Sequence, residues 1–165
     1  AMLHKDKQTV LYITFSTGIG TGLVRDQKLE PAFLKSEGGH MMLPYKGELL
    51  EWEDFGSGRA IYAHLGKKAA EITEESEWKN IAHNLALGIF NHVALIQPDM
   101  IVIGGSIGTH FDHYSDYLLE ELKVFEVPVV PVPPIVQAGR PEEAVLFGCY
   151  DAAKQAFEGE NEGPA

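Results

Sequence analysis

The chain lacks three things: cysteines beyond Cys149, a surplus of basic side chains, and any apolar run of the roughly 20 residues that a membrane-spanning helix needs. One cysteine excludes an internal disulfide and a site of several thiolates, and its apolar surroundings predict a buried thiol. The 13 basic residues against 24 acidic ones, a net charge of −11, argue against nucleic acid as a partner. We therefore expect a cytoplasmic protein that binds neither nucleic acid nor membranes.

The 165 residues, 45% of them hydrophobic, suit one compact domain. Ala1 before Met2 is typical of a residue left by tag cleavage, so residues 1–8 are expected to be a leader. The acidic, glycine-rich sequence of residues 158–165 predicts a disordered tail. The folded lobe is thus expected over residues 9–157.

A glycine-rich stretch, residues 16–22, follows a predicted strand over residues 10–15 and precedes a returning strand at Leu23 and Val24. Glycines without Cβ atoms let backbone N–H groups approach an anion closely, and the neighbouring hydroxyls can donate to it. A plain tight turn explains the same pattern, and no helix follows directly, so neither the P-loop nor the Rossmann fingerprint is satisfied. The residues concerned are Ser16, Thr17, Gly18, Gly20, Thr21 and Gly22.

The remaining elements are predicted from hydrophobic periodicity, caps and prolines. A third strand is expected over residues 29–34, at a sheet edge because of Pro31. Helices are expected over residues 57–65, 76–96, 111–125 and 141–157, and strands over 99–103 and 135–136. This order predicts an α/β fold in which a β-meander is followed by βαβ elements. The glycine turns at 18–22 and 104–108 would both lie at strand ends, where ligands bind in open α/β sheets.

Several motifs follow one another along the chain: residues 16–22, Glu37–Met41, Glu53 before Ser57–Ile61, Asn91, Pro98–Ser106, and Ala144 with Phe147 and Gly148. Together and in this order they resemble the C-terminal lobe of the ROK family, named for repressors, open reading frames and sugar kinases. The resemblance covers roughly residues 8–156 and implies a single lobe of the ribonuclease-H-like fold, of the actin, hexokinase and Hsp70 ATPase type. In that fold two lobes close around a nucleotide and a sugar.

The resemblance also implies roles for particular residues. The hairpin at 16–22 would be the second phosphate loop for ATP, bound with Mg²⁺, and Gly104 and Gly105 would be the adenosine loop. Glu37 and His40 would bind the hydroxyls of a hexose, with Glu53 as a further sugar-binding carboxylate, since such groups pair with vicinal hydroxyls. A polar loop whose histidine caps the backbone is the alternative for Glu37 and His40.

Family members with a structural zinc hold it with the motif histidine and three following cysteines. The corresponding positions here are Pro44, Lys46 and Glu51, so His40 is expected to stand alone. One imidazole cannot make the closed tetrahedral site of structural zinc, and no zinc is expected. The loop over residues 46–55 should then be held by packing, around Trp52 and Phe55.

The family's catalytic aspartate and first phosphate loop belong to its N-terminal lobe, and nothing in this chain corresponds to them. We expect the C-terminal lobe of a glucokinase-like ROK sugar kinase, inactive until the N-terminal lobe is supplied in the full protein or in trans. A non-catalytic sugar-sensing lobe of a ROK transcriptional regulator is the alternative. A structural pairing module is a third, since the long apolar helix could support a homodimer.

Two further groups of residues have weaker patterns. Metal ligands are conceivable at the start of the third helix, but helix capping and surface histidines explain that cluster more simply. Two histidines on the long helix have no evident partner in the sequence. The first group is His110, Asp112, His113 and Asp116, and the second is His83 and His92.

Overall fold

The computed structural model describes residues 6–161, which form a mixed five-stranded sheet, a small hairpin and six helices. The strands are β1 Thr9–Phe15, β2 Ile19–Arg25, β3 Lys28–Leu29, β4 Met42–Tyr45, β5 Glu48–Glu51, β6 Met100–Gly104 and β7 Ile135–Gln137. The helices are α1 Trp52–Gly56, α2 Gly58–Leu65, α3 Glu75–Ile96, α4 Gly105–Gly108, α5 Phe111–Phe125 and α6 Ala144–Asn161. Short 3₁₀ turns occupy Pro31–Phe33, Gly38–His40 and Ala69–Glu71.

The sheet has the strand order β3-β2-β1-β6-β7. β1 pairs antiparallel with β2 and parallel with β6, and β6 pairs parallel with β7. Every residue of β6 is buried, as expected for a parallel strand covered on both faces. The predicted meander followed by βαβ elements is confirmed.

The two faces of β1 have different environments because side chains alternate along a strand. Leu11, Ile13 and Phe15 are fully buried in the main core, together with apolar residues of α3 and α5. Tyr12 and Thr14 lie on the opposite face, where Val10, Met100, Val102 and Ala138 form a smaller core. The apolar residues of α3 that suggested a dimer are used within the chain, against this sheet and α5.

Helix boundaries follow the predicted capping signals closely in the middle of the chain. The Ser57 hydroxyl accepts a hydrogen bond from the N–H of Ala60, and α2 ends at Gly66 in the left-handed conformation. α3 ends at Ile96, followed by Gln97 in the left-handed region and then by Pro98. α6 begins at Ala144 rather than Pro141 and continues to Asn161, so part of the predicted tail is helical, while residues 162–165 lie outside the described residues.

Two local predictions for the first third of the chain were wrong. The third strand is only two residues long, because Pro31 has no N–H for a ladder and begins a 3₁₀ turn instead. The β4–β5 hairpin was not predicted, although its two-residue turn has a recognisable signal. Lys46 and Gly47 both adopt positive φ, as the turns of two-residue hairpins require.

None of the helices within residues 6–161 is both long and apolar enough to cross a membrane. The thiol of Cys149 is exposed on α6, so the prediction of a buried cysteine was wrong.

Candidate functional site

The turn between β1 and β2 is shorter than predicted and comprises Ser16–Gly18. Its ends are closed by a hydrogen bond from the N–H of Ser16 to the carbonyl of Gly18, 2.9 Å long. The N–H of Gly58, at the start of α2, donates to the Ser16 carbonyl at 2.6 Å. The turn is therefore fixed in place by α2, leaving Thr17 exposed at its tip.

Gly20 and Gly22 lie in β2 and not in the turn. They pair with Thr14 and Tyr12 of β1, so the four residues share one face of the sheet. Gly104, at the end of β6, approaches the same place, since a Cβ on it would lie 2.2 Å from the Tyr12 hydroxyl. We call Gly20, Gly22 and Gly104, with Tyr12 and Thr14, the glycine face.

Thr21 does not lie on the glycine face. Its side chain points to the opposite side of the sheet, where its hydroxyl would be 2.9 Å from a Cβ on Gly38. The Thr21 side chain thus lies against the following loop, where its buried hydroxyl has no hydrogen-bond partner among residues 6–161. Its expected role at the phosphate turn stays a prediction.

The two predicted glycine loops meet at the end of β1. Gly105 has φ +82°, and a Cβ there would lie 2.4 Å from the carbonyl oxygen of Phe15, so only glycine fits this approach. The hydroxyl of Ser16 accepts a hydrogen bond from the N–H of Ser106, 3.3 Å long. The Ser16–Gly18 turn and the Gly104–Gly105 loop thus form one continuous surface.

The loop that carries the predicted sugar-binding residues packs tightly on β2 and α3. A Cβ on Gly39 would lie 2.4 Å from the carbonyl oxygen of Ile19, and one on Gly38 would lie 2.5 Å from Nε2 of His92. With both glycines buried, Glu37 and His40 are held at the exposed rim on either side of them.

Glu53 connects this rim to the Ser16–Gly18 turn. It lies in the first turn of α1, and its Oε2 accepts a hydrogen bond from the N–H of Ile19 at 3.3 Å. The same oxygen would be 2.7 Å from a Cβ on Gly18. Its Oε1 pairs with the guanidinium of Arg59 at 3.2 Å, a partner that the sequence analysis missed. Only 16% of the Glu53 side chain is exposed.

His40 does not stand alone, as the sequence had suggested. Its Nδ1 is 2.7 Å from Oε2 of Glu51, the last residue of β5. The hydrogen bond to Glu51 and then its charge raise the pKa of His40, with smaller contributions from the charges of Glu53 and Glu37. The acidic residues Glu51 and Glu53 are visible in the sequence. Because eleven residues separate Glu51 from His40, the sequence spacing alone did not predict that the two side chains meet.

These residues do not fit a structural zinc. Among residues 6–161, His40, Glu51 and Glu53 are the three that bring metal-ligating atoms within 4.8 Å of one another. Glu53 is already bound by Arg59 and the N–H of Ile19, and Nδ1 of His40 by Glu51. A closed structural site needs four ligands, mostly thiolate and imidazole, free to face the ion. Packing holds the loop instead, with Trp52 and Phe55 both buried as expected.

We therefore predict that the purified chain contains well below one zinc ion per molecule. Elemental analysis after dialysis against a metal-free buffer measures this directly, with the H40A variant as the control for adventitious binding. About one zinc per chain in the native protein, lost in H40A, would contradict the prediction.

Four histidines outside this site have structural partners. His110 and His113 lie against the Trp78 ring, with His113 stacked on it at 5.1 Å between ring centroids. Nδ1 of His83 is 2.8 Å from a carboxylate oxygen of Glu121, and Nδ1 of the buried His92 donates to the carbonyl of Gly88. Neither His110 nor His113 belongs to a group of potential metal ligands within the described part of the chain.

Two hydroxyl groups on the glycine face were also missed. The oxygens of Tyr12 and Thr14 are buried, and within residues 6–161 neither reaches a hydrogen-bond partner beyond the contact between these two hydroxyls. Burial raises the pKa of Tyr12 above its ordinary value. A buried hydroxyl without a partner is costly, so these oxygens are suited to a polar ligand on this face. The alternation of Tyr12 and Thr14 in β1 is the signal that could have found them.

Comparison with known proteins identifies the family. The sequence profile of the ROK family matches residues 2–156. The chain belongs to the ROK family. This ROK chain is 28% identical over 162 residues to the N-acetyl-D-glucosamine kinase of Escherichia fergusonii, covering 78% of this chain and 53% of that kinase. It is 26% identical over 118 residues to the fructokinase of Pediococcus pentosaceus, covering 64% and 40%.

Solved structures show the same fold. A ROK family glucokinase from Streptomyces griseus, in complex with glucose and AMPPNP, matches with a TM-score of 0.73 at 19% identity over 90% of this chain and 61% of that one. A ROK family transcriptional regulator, a homologue of the E. coli MLC protein, matches with a TM-score of 0.64 at 19% identity over 80% and 42%. The expected ribonuclease-H-like fold of the actin and hexokinase type is confirmed.

The ROK chain is shorter than these relatives. It spans between 38% and 53% of the length of the curated kinases that it matches.

Proposed function

We propose that this chain is the lobe of an ATP-dependent hexose kinase that binds the nucleotide and recognises the sugar. In this proposal the Ser16–Gly18 turn and the glycine face hold the phosphates, with Mg²⁺ accompanying them. The loop at Gly104 and Gly105 admits the adenosine. The sugar hydroxyls pair with Glu37, His40 and Glu53.

The observation that carries the proposal is the position of Glu53. One carboxylate touches the phosphate turn through Ile19 and also lies beside the rim that carries His40. Phosphoryl transfer requires the acceptor hydroxyl and the transferred phosphate to approach within about 3–3.5 Å. Each carboxylate oxygen can accept more than one hydrogen bond, so Glu53 can bind a hydroxyl while it keeps its present partners.

The shape of the glycine face is the argument for a nucleotide next to the Ser16–Gly18 turn. At Gly22 a Cβ would meet nothing within 4 Å, so a flat or anionic group can reach the sheet backbone there, whereas the Tyr12 side chain lies over Gly104 and the Thr14 methyl beside Gly20. The buried hydroxyls of Tyr12 and Thr14, whose only hydrogen-bonding contact within the described part of the chain is with each other, would gain a further partner from it. The neighbour from Streptomyces griseus was solved with AMPPNP, which agrees with this assignment.

Catalysis would need a second lobe. The carboxylates at this rim are arranged to bind hydroxyls, and the proton-accepting aspartate expected for the family has no counterpart in this sequence. The chain also spans about half or less of its curated kinase relatives. We therefore propose that the N-terminal lobe completes the site, within a longer protein or in trans, and that the enzyme acts in the cytoplasm, where ATP is available.

A binding experiment tests the nucleotide half of the proposal. We predict weak, phosphate-dependent binding, with ATP bound better than adenosine, measured by calorimetry. Gly20→Val should abolish it by filling the glycine face. Valine suits a strand, and a Cβ at Gly20 would have the Thr14 methyl at 3.0 Å, so circular dichroism of the variant accompanies the titration to show that it folds.

Gly148→Ala is the matched control, since a Cβ at Gly148 in α6 meets nothing within 4 Å. Nucleotide binding that survives Gly20→Val unchanged would show that this face is only part of a hairpin.

A second candidate function is the sugar-sensing lobe of a ROK transcriptional regulator, and the match to such a regulator favours it. A regulator lobe would bind sugar at Glu37, His40 and Glu53 without ATP. Coding sequence upstream distinguishes the two: a winged helix would indicate a regulator, and a phosphate loop with a catalytic aspartate would indicate a kinase.

A further inference from the structure

We propose that Glu51 is a positioning residue that holds the His40 ring through Nδ1, so that Nε2 is the atom presented to a ligand hydroxyl. That the hydroxyl belongs to a sugar rests on the proposed function. The control of the ring by Glu51 does not, because it follows from the geometry of this chain.

The hydrogen-bond chemistry allows one assignment of the ring protons. Nδ1 of His40 and Oε2 of Glu51 are 2.7 Å apart, and an ionised carboxylate can only accept. Nδ1 therefore carries the proton in both ring states. The neutral ring then has its lone pair on Nε2, which accepts a hydrogen bond from a hydroxyl. About half of the His40 side chain, 52%, is exposed, so a ligand can reach it.

Backbone hydrogen bonds hold the segments of His40 and Glu51 together before any ligand binds. The N–H of Trp52, next to Glu51, donates to the carbonyl of Met41, next to His40, at 2.9 Å. Met42 and Glu51 are also paired across the β4–β5 hairpin. The two side chains therefore meet without ordering a loop, which is the condition for a pre-organised contact.

The other charged groups near the ring do not replace Glu51. The N–H of Ile19 and the guanidinium of Arg59 hold Glu53 toward the Ser16–Gly18 turn, and Glu37 is exposed at the rim. Their charges, like that of Glu51, favour the protonated ring, but Glu51 is the group that hydrogen-bonds it. Removal of Glu51 should therefore change which ring nitrogen is protonated, whereas a charge change elsewhere should not.

Nuclear magnetic resonance of the ¹⁵N-labelled chain tests this without any ligand. Long-range ¹H–¹⁵N spectra above pH 8 report which nitrogen of each neutral histidine carries the proton. We expect the Nδ1–H form for His40 in the native chain and a change to the Nε2–H form, favoured by an unconstrained side chain in water, in E51A. E51Q should keep the Nδ1–H form, because the amide oxygen still accepts, but should lower the pKa of His40.

E48A, at the exposed start of the same strand, is the matched control and should leave His40 unchanged. His83, which contacts Glu121 in the same way, is an internal reference. An Nε2–H form in the native chain, or an Nδ1–H form that persists in E51A, would overturn the proposal. So would saturable binding of one Zn²⁺ at His40 that E51A abolishes, because Glu51 would then be a metal ligand.

A sugar titration then separates this proposal from the proposed function. Glucose, fructose and N-acetylglucosamine are added in turn, and the shift of His40 Nε2 is followed. We expect at least one sugar to shift this resonance. The affinity for that sugar should be about tenfold lower in E51A, which corresponds to the loss of about one hydrogen bond, and should be recovered in E51Q. If no sugar shifts any rim residue, the proposed function fails while the tautomer result stands. Equal affinity in native chain and E51A overturns the positioning role.

Discussion

Replacing Trp52 by alanine is expected to lower the free energy of unfolding by about 3–5 kcal/mol, the usual loss for a large buried aromatic residue. The Trp52 side chain is fully buried and meets the Phe15 ring edge-to-face at 5.5 Å. Its indole N–H donates a further hydrogen bond to the carbonyl of Asn84 at 3.0 Å, which the alanine variant loses. α3 accommodates the ring at Gly88, where a Cβ would lie 2.1 Å from it.

Urea unfolding followed by circular dichroism measures this loss. Leu49→Ala, at a side chain 61% exposed in β5, is the control and should change stability by no more than about 0.5 kcal/mol. If Trp52→Ala does not fold, Trp52→Phe keeps a ring and should cost about 0.5–1.5 kcal/mol for the lost hydrogen bond, in addition to the loss from the smaller ring. A loss below about 1 kcal/mol in Trp52→Ala, or none in Trp52→Phe, would contradict this account of the core.

Trp52 also explains how packing holds the rim that carries Glu37 and His40. Its backbone N–H joins the segments that carry Glu51 and His40, and its ring anchors both to the core. The sequence allowed Trp52 to be proposed as an anchor of this loop. Its exact partners, Asn84 and Gly88, lie on a helix more than thirty residues later, and no local pattern relates them to it.

The elements with strong periodicity were predictable. The alternation in β1, the three- and four-residue spacing along α3 and the apolar run of β6 each correspond to one burial pattern, so their type and approximate bounds followed. Short elements were not. β4 contains a proline and two of the four residues of β5 are glutamates. The two strands are stabilised by each other and by Trp52 rather than by a pattern of their own.

The candidate site was predictable in position but not in detail. Motif order placed the two glycine loops and the acid and histidine residues near one another, and the structure brings them together. The pairs that organise the site, His40 with Glu51 and Glu53 with Arg59, are side-chain contacts across a loop. Sequence spacing does not say which face of a turn such side chains take. The shift of Thr21 to the opposite face has the same cause, because the turn ended earlier than expected.

The largest expected effect on activity is that of the proposed N-terminal lobe. The chain alone should not phosphorylate hexoses, because loss of the general base typically lowers the rate by about 10²–10⁴-fold and the open cleft should lower it further. Adding the matching N-terminal lobe should restore ATP-dependent phosphorylation. In the restored enzyme, Glu37→Gln should then reduce turnover by weakening the placement of the sugar hydroxyl.

Glu48→Gln is the matched control for Glu37→Gln, since Glu48 is an exposed carboxylate at the far end of the β4–β5 hairpin. It should leave the restored activity unchanged. Equal losses in both variants would indicate a general effect of surface charge and would remove Glu37 from the sugar site.

The most direct measurement of the central claim is a coupled ADP-release assay on the chain, with and without the N-terminal lobe, over a panel of hexoses. The account predicts no turnover by the chain alone and sugar-dependent ADP release when both lobes are present. Robust turnover by the 165-residue chain alone would contradict the half-site account. Absence of turnover with both lobes present would contradict the kinase function and favour the sugar-sensing regulator.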